Sequence, residues 1–183
     1  MREGERQVSP TVNGVRLDHV NRYKWVVQYL NGTVLDAACG IGYGSKIMAE
    51  SGLRVRAIDV DREAIDYAGA YYNHSGIDYQ CVDIRNAAPF LSDNTVAFEM
   101  IEHVPDPLPF LKRIKGNLFA SVPNEDVFPY LNYKYHYRHY TKQEFCDLLT
   151  EAGFTVTRWF GQIGDEVEPN ANGRTLIAAA VKA

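Results

Sequence analysis

The chain has 183 residues, enough for one domain with a substantial buried core. Hydrophobic residues make up 46% and charged residues 23%, as in ordinary soluble proteins, and a net charge of −4 offers no field that would gather nucleic acid or anionic membrane. No apolar run reaches the length of a membrane span, Met1 to Gln7 lacks the apolar stretch of a signal peptide, and three scattered cysteines (Cys39, Cys81, Cys146) argue against a disulfide framework; a cytoplasmic protein without membrane contact is expected.

Leu17, Val20, Tyr23, Val27 and Leu30 recur at three- and four-residue steps, which predicts an amphipathic helix over 17–30, stopped by Asn31-Gly32. Residues 33–35 read as a short strand ending at Asp36, followed by a glycine-rich turn and a helix over about 43–51. A second strand, 54–58, ends at Asp59, and Asp61 can cap a helix over 63–72. A third strand, 78–82, ends at Asp83. Beyond a polar loop come a strand over 95–100, a short helix over 107–115 and a strand over 117–122. Thr141-Lys-Gln-Glu144 has the form of a capping box, opening a helix that runs to about Ala152 and ends at Gly153. Strands over 155–160 and 175–181 complete seven. Alternating strands and helices predict an α/β fold with a doubly wound parallel sheet, its last two strands pairing antiparallel. With no linker or repeat, residues 1–183 form one domain.

In an open α/β sheet, ligands collect at the carboxyl ends of the strands, where strand order reverses. Three acids end successive strands here: Asp36, Asp59 and Asp83. Gly40, Gly42 and Gly44 follow the first, and glycines let a backbone turn tightly and approach a ligand. The pattern D-x-x-x-G-x-G-x-G differs from the G-x-G-x-x-G that cradles a pyrophosphate. A carboxylate ahead of the loop repels phosphate and suits a ligand carrying an ammonium and a sulfonium. Asp59 stands where an acid accepts hydrogen bonds from both ribose hydroxyls, and Asp83 can approach an adenine amino group with Ile84 against the ring. The plainer reading is a tight turn with Asp59 as a helix cap; three strand-end acids in order favour the ligand. Cys39, with no base near it in sequence, reads as a small packed residue.

Val34-Leu-Asp-Ala-Ala-Cys-Gly-Ile-Gly-Tyr-Gly44, Ala57-Ile-Asp-Val60 and Phe98-Glu-Met-Ile-Glu-His-Val104 resemble the class I methyltransferases of the ubiquinone/menaquinone-biosynthesis type, over about residues 34–154. The resemblance implies a Rossmann-like sheet of order 3-2-1-4-5-7-6, last strand antiparallel, and S-adenosylmethionine as methyl donor. It places donor contacts on Asp36, Ala38, Gly40, Gly42, Tyr43, Asp59, Val60, Asp83, Ile84 and Glu99. Ala38 departs from the glycine usual in the family, a small intrusion. Gly4-Glu-Arg6 and Asp18-His-Val-Asn-Arg-Tyr23 are similar to the openings of bacterial and phage members, in which this segment (residues 1–31) covers the donor. Arg22 and Tyr23 are then candidates for its methionine end; the alternative is a surface helix with Tyr23 packed inward.

If a turn begins at Glu99, then Glu99 and Glu102 share a face with His103 beside them. Carboxylates so placed repel each other unless a cation joins them. E-x-x-E-H is similar to the metal-binding segment of ubiquinone-biosynthesis O-methyltransferases, which act on catechols, and of small-RNA 3′-terminal 2′-O-methyltransferases. In the latter a second histidine precedes a helix opened by Thr-x-x-Glu-Phe; His136, five residues before Thr141, matches that spacing better than His139. The candidate metal ligands are Glu99, Glu102, His103 and His136, for Mg²⁺ or Mn²⁺ with Zn²⁺ also open. His103, Glu102 and His136 are the catalytic candidates. A metal-free reading has Glu102 capping the next helix and His103 as general base or packed residue. The Tyr-rich segment 130–140 reads as an acceptor lid, an RNA-stacking surface, or a cover for the sheet edge. Three functions stay in view: O-methylation of a small sugar or phenol, 2′-O-methylation of an RNA 3′ end, and a non-catalytic module that binds the donor or a partner. Acceptor identity and oligomeric state are open.

Overall fold

The computed structural model describes residues 7–86 and 91–183, so the similarity read at Gly4-Glu-Arg6 lies outside the described residues. The elements run α1 (Leu17–Val26), β1 (Thr33–Ala37), α2 (Tyr43–Glu50), β2 (Arg54–Asp59), α3 (Arg62–Tyr71), β3 (Ile77–Cys81), β4 (Asn94–Phe98), α4 (Leu108–Arg113), β5 (Asn117–Pro123), α5 (Lys142–Glu151), β6 (Phe154–Ile163), β7 (Glu166–Pro169) and β8 (Thr175–Lys182). Short 3₁₀ turns add to these, including Val27–Tyr29, into which the expected longer first helix tightens, and Ile101–His103. None of the helices is long and apolar enough to cross a membrane, among the described residues.

The strands form one sheet of order β3-β2-β1-β4-β5-β8-β6-β7. β3, β2, β1, β4 and β5 pair in parallel, and β8 runs antiparallel to both neighbours. The order is the Rossmann-like one, with an eighth strand at the edge. β7 escapes a reading by pattern because Glu166-Val-Glu-Pro169 is four residues with two acids and a proline, a composition that suits only an edge. It exists because β6 continues to Ile163 and turns back through Gly164.

Parallel strands must be covered on both faces, so they carry near-continuous apolar runs. Leu35, Ile58, Ala97 and Leu118 bury one face against α4 and α5 through Phe110, Leu111, Phe145 and Leu149. Val34, Ala57, Val96 and Phe119 bury the other against α1, α2 and α3 through Val26, Met48 and Ile65. Local signals agree with this packing. Asp61 accepts from the backbone N–H groups of Glu63 and Ala64 at the start of α3, and Thr141 with Glu144 completes the capping box of α5. The reversal point lies between β1 and β4, which brings the ends of β2, β1, β4 and β5 to a common cleft.

Candidate functional site

That cleft is a cavity of about 810 Å³, in the upper part of the range for small-molecule sites. Along one stretch its wall is the loop after β1, the end of β2 and the loop after β3. Along the other it is the end of β4, the turn Ile101–His103 and the segment after β5.

The three glycines of the β1–α2 loop have different reasons to be there. A Cβ on Gly40 would meet nothing within 4 Å among the described residues, so of the three only Gly40 turns its backbone to open cavity. A Cβ on Gly42 (φ 90°) would strike Tyr79 and Ala68, and one on Gly44 would enter the Tyr23 ring. Those two glycines serve helix packing. Ala38 adopts φ 59°, a left-handed conformation that costs an alanine about 1–2 kcal/mol and explains the family's usual glycine.

Asp59 is 2% exposed. Its Oδ2 accepts from the Gly40 N–H at 2.9 Å and its Oδ1 from the Asp61 N–H at 2.9 Å, so it pins the glycine loop to the end of β2 beside the cavity. Val60 stands exposed at the lip. Asp83 also lines the cavity, but Arg85 holds its carboxylate through Nε and Nη2, keeping its pKa below the usual value. Arg113 reaches from α4 to the Ile84 carbonyl and fixes that wall.

Asp36 is placed differently from the sequence reading. It is fully buried and absent from the cavity wall, accepting from Ser45 Oγ at 2.5 Å and Tyr23 Oη at 3.3 Å. It therefore ties the loop to α2 and α1. Burial pushes its pKa up to about 6, with the Ser45 and Tyr23 hydrogen bonds opposing the shift. A carboxyl raised in the folded state contributes most stability below its unfolded value and loses it as pH rises through the folded one. Asp36→Asn is therefore expected to gain about 2 kcal/mol relative to wild type between pH 4 and pH 7, read from denaturant unfolding at both pH values.

Helix α1 closes the cavity from above. Arg22 is buried, donating from Nε to Gln162 Oε1 at 2.8 Å and from Nη1 to Ser121 Oγ at 3.3 Å, with Glu99 Oε1 also 3.3 Å from Nη1. Tyr23 packs edge-on against Tyr43 and Phe98, and the Tyr43 hydroxyl meets His19 Nδ1 at 3.1 Å. Glu99, at φ 49°, sits in a conformation that costs about 1–3 kcal/mol. Ser121 holds it there: the Glu99 N–H donates to both the carbonyl and Oγ of Ser121, and Ser121 Oγ donates to Glu99 Oε1 at 2.8 Å.

Glu102, His103 and His136 bring one ligand atom each within 4.8 Å of one another. Glu99 is outside this group, turned to Arg22 and Ser121. Glu102 is 1% exposed and neither carboxylate oxygen has a hydrogen-bond partner among the described residues; His103 Nε2 lies 3.9 Å away. Burial, then the charge of Glu99, drives its pKa well above the ordinary value. It caps no helix: α4 opens at Pro107 without a side-chain cap. His103 Nδ1 donates to the Tyr135 carbonyl at 2.9 Å, which turns Nε2 toward Glu102. Burial lowers the pKa of His136 to about 4, with His103 and His139 adding to the shift, so its ring is neutral at neutral pH. The segment is docked by the Tyr137 N–H on the Glu102 carbonyl and the Tyr130 hydroxyl on the His136 carbonyl.

His19, Ser45, Ser121 and Gln162 escaped the sequence reading, and His139 was weighed there only as a poorer match than His136 for a ligand. Ser121 carried a signal, as a polar residue in the middle of an apolar strand; Gln162 carried none.

Residues 35–118 match the family model of a methyltransferase domain. The chain is 33% identical over 140 residues to the ubiquinone biosynthesis O-methyltransferase of Idiomarina loihiensis, covering 70% of this chain and 57% of that relative. The corresponding enzyme of Chromobacterium violaceum is 32% identical over 131 residues, covering 66% and 55%. The chain thus spans rather more than half the length of these curated relatives. Magnesium protoporphyrin IX methyltransferase from Synechocystis, solved with bound S-adenosylhomocysteine, superposes with a TM-score of 0.71 at 17% identity, over 98% of this chain and 90% of that one.

Proposed function

Since the chain belongs to the class I S-adenosylmethionine-dependent methyltransferases, we propose that it methylates an oxygen of a small hydroxylated acceptor, with a divalent cation held by Glu102, His103 and His136. The donor's adenosyl part fits the open face of Gly40 and the Asp59 carboxylate, and Arg22 and Glu99 line the space left for its methionine end. The observation that carries the cation is Glu102. A buried carboxylate that ionises with no partner among the described residues costs several kcal/mol, and the neutral imidazole of His136 beside it offers a lone pair, not a proton. Oxygen and nitrogen donors of this kind suit Mg²⁺ or Mn²⁺ with positions left for an acceptor. When bound, the cation would lower the pKa of an acceptor hydroxyl and steady the resulting oxyanion. The residues themselves position both reactants in one walled cavity, which is the main requirement of an in-line methyl displacement.

A small acceptor suits the segment after β5 better than an RNA end does. Phe128, Tyr130, Tyr133, His136 and His139 pack into one cluster of rings, Tyr133 stacked on His139 and the other pairs tilted or edge-on, whereas base stacking needs rings presented singly to solvent. The test is a screen with labelled donor over catechols, sugars and short RNAs, with and without Mn²⁺. Cation-dependent transfer to a small molecule with adjacent hydroxyls is expected. Transfer confined to RNA 3′ ends would overturn the acceptor class, and a folded protein giving no heat with S-adenosylhomocysteine would overturn the donor site.

A further inference from the structure

The segment that delivers His136 to the cavity also carries His139, which no part of the cation site needs as a ligand. His139 is 2% exposed, and both of its ring nitrogens are engaged. Nδ1 lies 2.7 Å from the Phe128 carbonyl, and Nε2 lies 2.8 Å from His136 Nδ1. A carbonyl only accepts, so His139 Nδ1 must carry the proton of that bond. In a neutral ring, His139 Nε2 then has the lone pair. The proton between the two histidines must sit on His136 Nδ1, and His136 Nε2 is left as an unprotonated nitrogen. The direction of this chain is set at its far end by one backbone oxygen.

We propose that His139 is a positioning residue: it holds His136 in the Nδ1–H tautomer, so that Nε2 is the nitrogen offered to a cation beside Glu102 and His103. The cation is that of the proposed function, but the tautomer exists in the metal-free protein and can be read there. His103 is oriented in a parallel way, with a backbone carbonyl directly on its Nδ1. At His136 the carbonyl acts through a second imidazole, which Phe128, Tyr130 and Tyr133 hold in place with ring centroids 5.1–5.5 Å away. Outer partners of this kind fix ring orientation and typically change metal affinity 10–100-fold when removed.

Two variants separate tautomer control from simple packing. His139→Phe keeps an aromatic ring in the cluster but accepts no hydrogen bond. His139→Gln can accept from His136 Nδ1 through Oε1 and donate to the Phe128 carbonyl through its amide. Side-chain ¹⁵N NMR of metal-free wild type is expected to show His136 protonated at Nδ1 and bare at Nε2. His139→Phe should shift the population toward Nε2–H and weaken Mn²⁺ binding by about 10–100-fold, and His139→Gln should restore both to near wild type. A wild-type His136 protonated at Nε2 would overturn the assignment without any variant. So would a His139→Phe protein with unchanged tautomer and unchanged Mn²⁺ affinity. Equal Mn²⁺ affinity in wild type and Glu102→Gln would instead remove the cation site, and the metal-free spectrum would still decide the role of His139.

Discussion

Replacing Glu102 by glutamine is expected to weaken Mn²⁺ binding by at least about 100-fold and to lower methyl transfer with it, while S-adenosylhomocysteine binding stays near wild type. Loss of a mere supporting residue costs up to about 100-fold in affinity, and Glu102 contributes the only carboxylate of the three-residue cluster, so its loss should reach or exceed that limit. The pH dependence gives a second signature. Burial and Glu99 raise the Glu102 pKa, so a proton competes with the cation for this carboxylate. Apparent Mn²⁺ affinity should rise with pH by up to about tenfold per unit while the group remains protonated, and the glutamine variant should lack this slope. The same shift bears on stability. In metal-free protein the contribution of Glu102 is present below its unfolded value and lost as pH rises through the folded one. Mn²⁺ at about 100 times its Kd should then add roughly 2.7 kcal/mol, read as a rise in Tm. The same Tm rise in Glu102→Gln would place the cation elsewhere.

The fold was legible where signals are local and repeated. Apolar strands with an acid at or near their ends, the Asp61 cap and the Thr141–Glu144 box each specify an element without reference to distant residues. The structure contains these elements, although only β2 ends on its acid, β1 running on to Ala37 and β3 stopping at Cys81 before Asp83. β7 was not legible, because its only cause is the partner strand it turns back upon. At the donor loop the motif gives position but not direction. Asp36 lies two residues beyond Val34, and strand alternation sends both to the face covered by α1 and α2; the carboxylate therefore meets Tyr23 and Ser45, out of reach of the cavity. The glycines likewise share a pattern and differ in cause. Only Gly40 faces open space, a distinction that depends on Tyr23 and Tyr79, residues from elsewhere in the chain. Spacing could single out His136, but the bond from His139 that orients it depends on how residues 128–139 fold over the cavity.

Asp59→Ala is expected to weaken S-adenosylhomocysteine binding by about 100-fold in calorimetry. Hydrogen bonds to a charged group contribute about 1.5–3 kcal/mol each, so two ribose hydroxyls on this carboxylate amount to about 3 kcal/mol, and each 1.4 kcal/mol is tenfold. The carboxylate also accepts from the N–H groups of Gly40 and Asp61, and alanine leaves both without that acceptor. Unfolding free energy should therefore fall by about 1–3 kcal/mol even without ligand. Asp59→Asn separates the two roles. Its single carbonyl oxygen can keep one backbone bond, so stability should recover partly, while one oxygen cannot serve both hydroxyls and binding should remain about tenfold weak. Mn²⁺ affinity should be unchanged in both variants, because the cation cluster is built on the turn after β4 and the segment after β5. Wild-type donor affinity in Asp59→Ala would mean that the adenosyl group lies along a different wall of the cavity. Parallel losses of donor and Mn²⁺ affinity would mean that Asp59 supports the whole cleft, with no specific hold on the ribose.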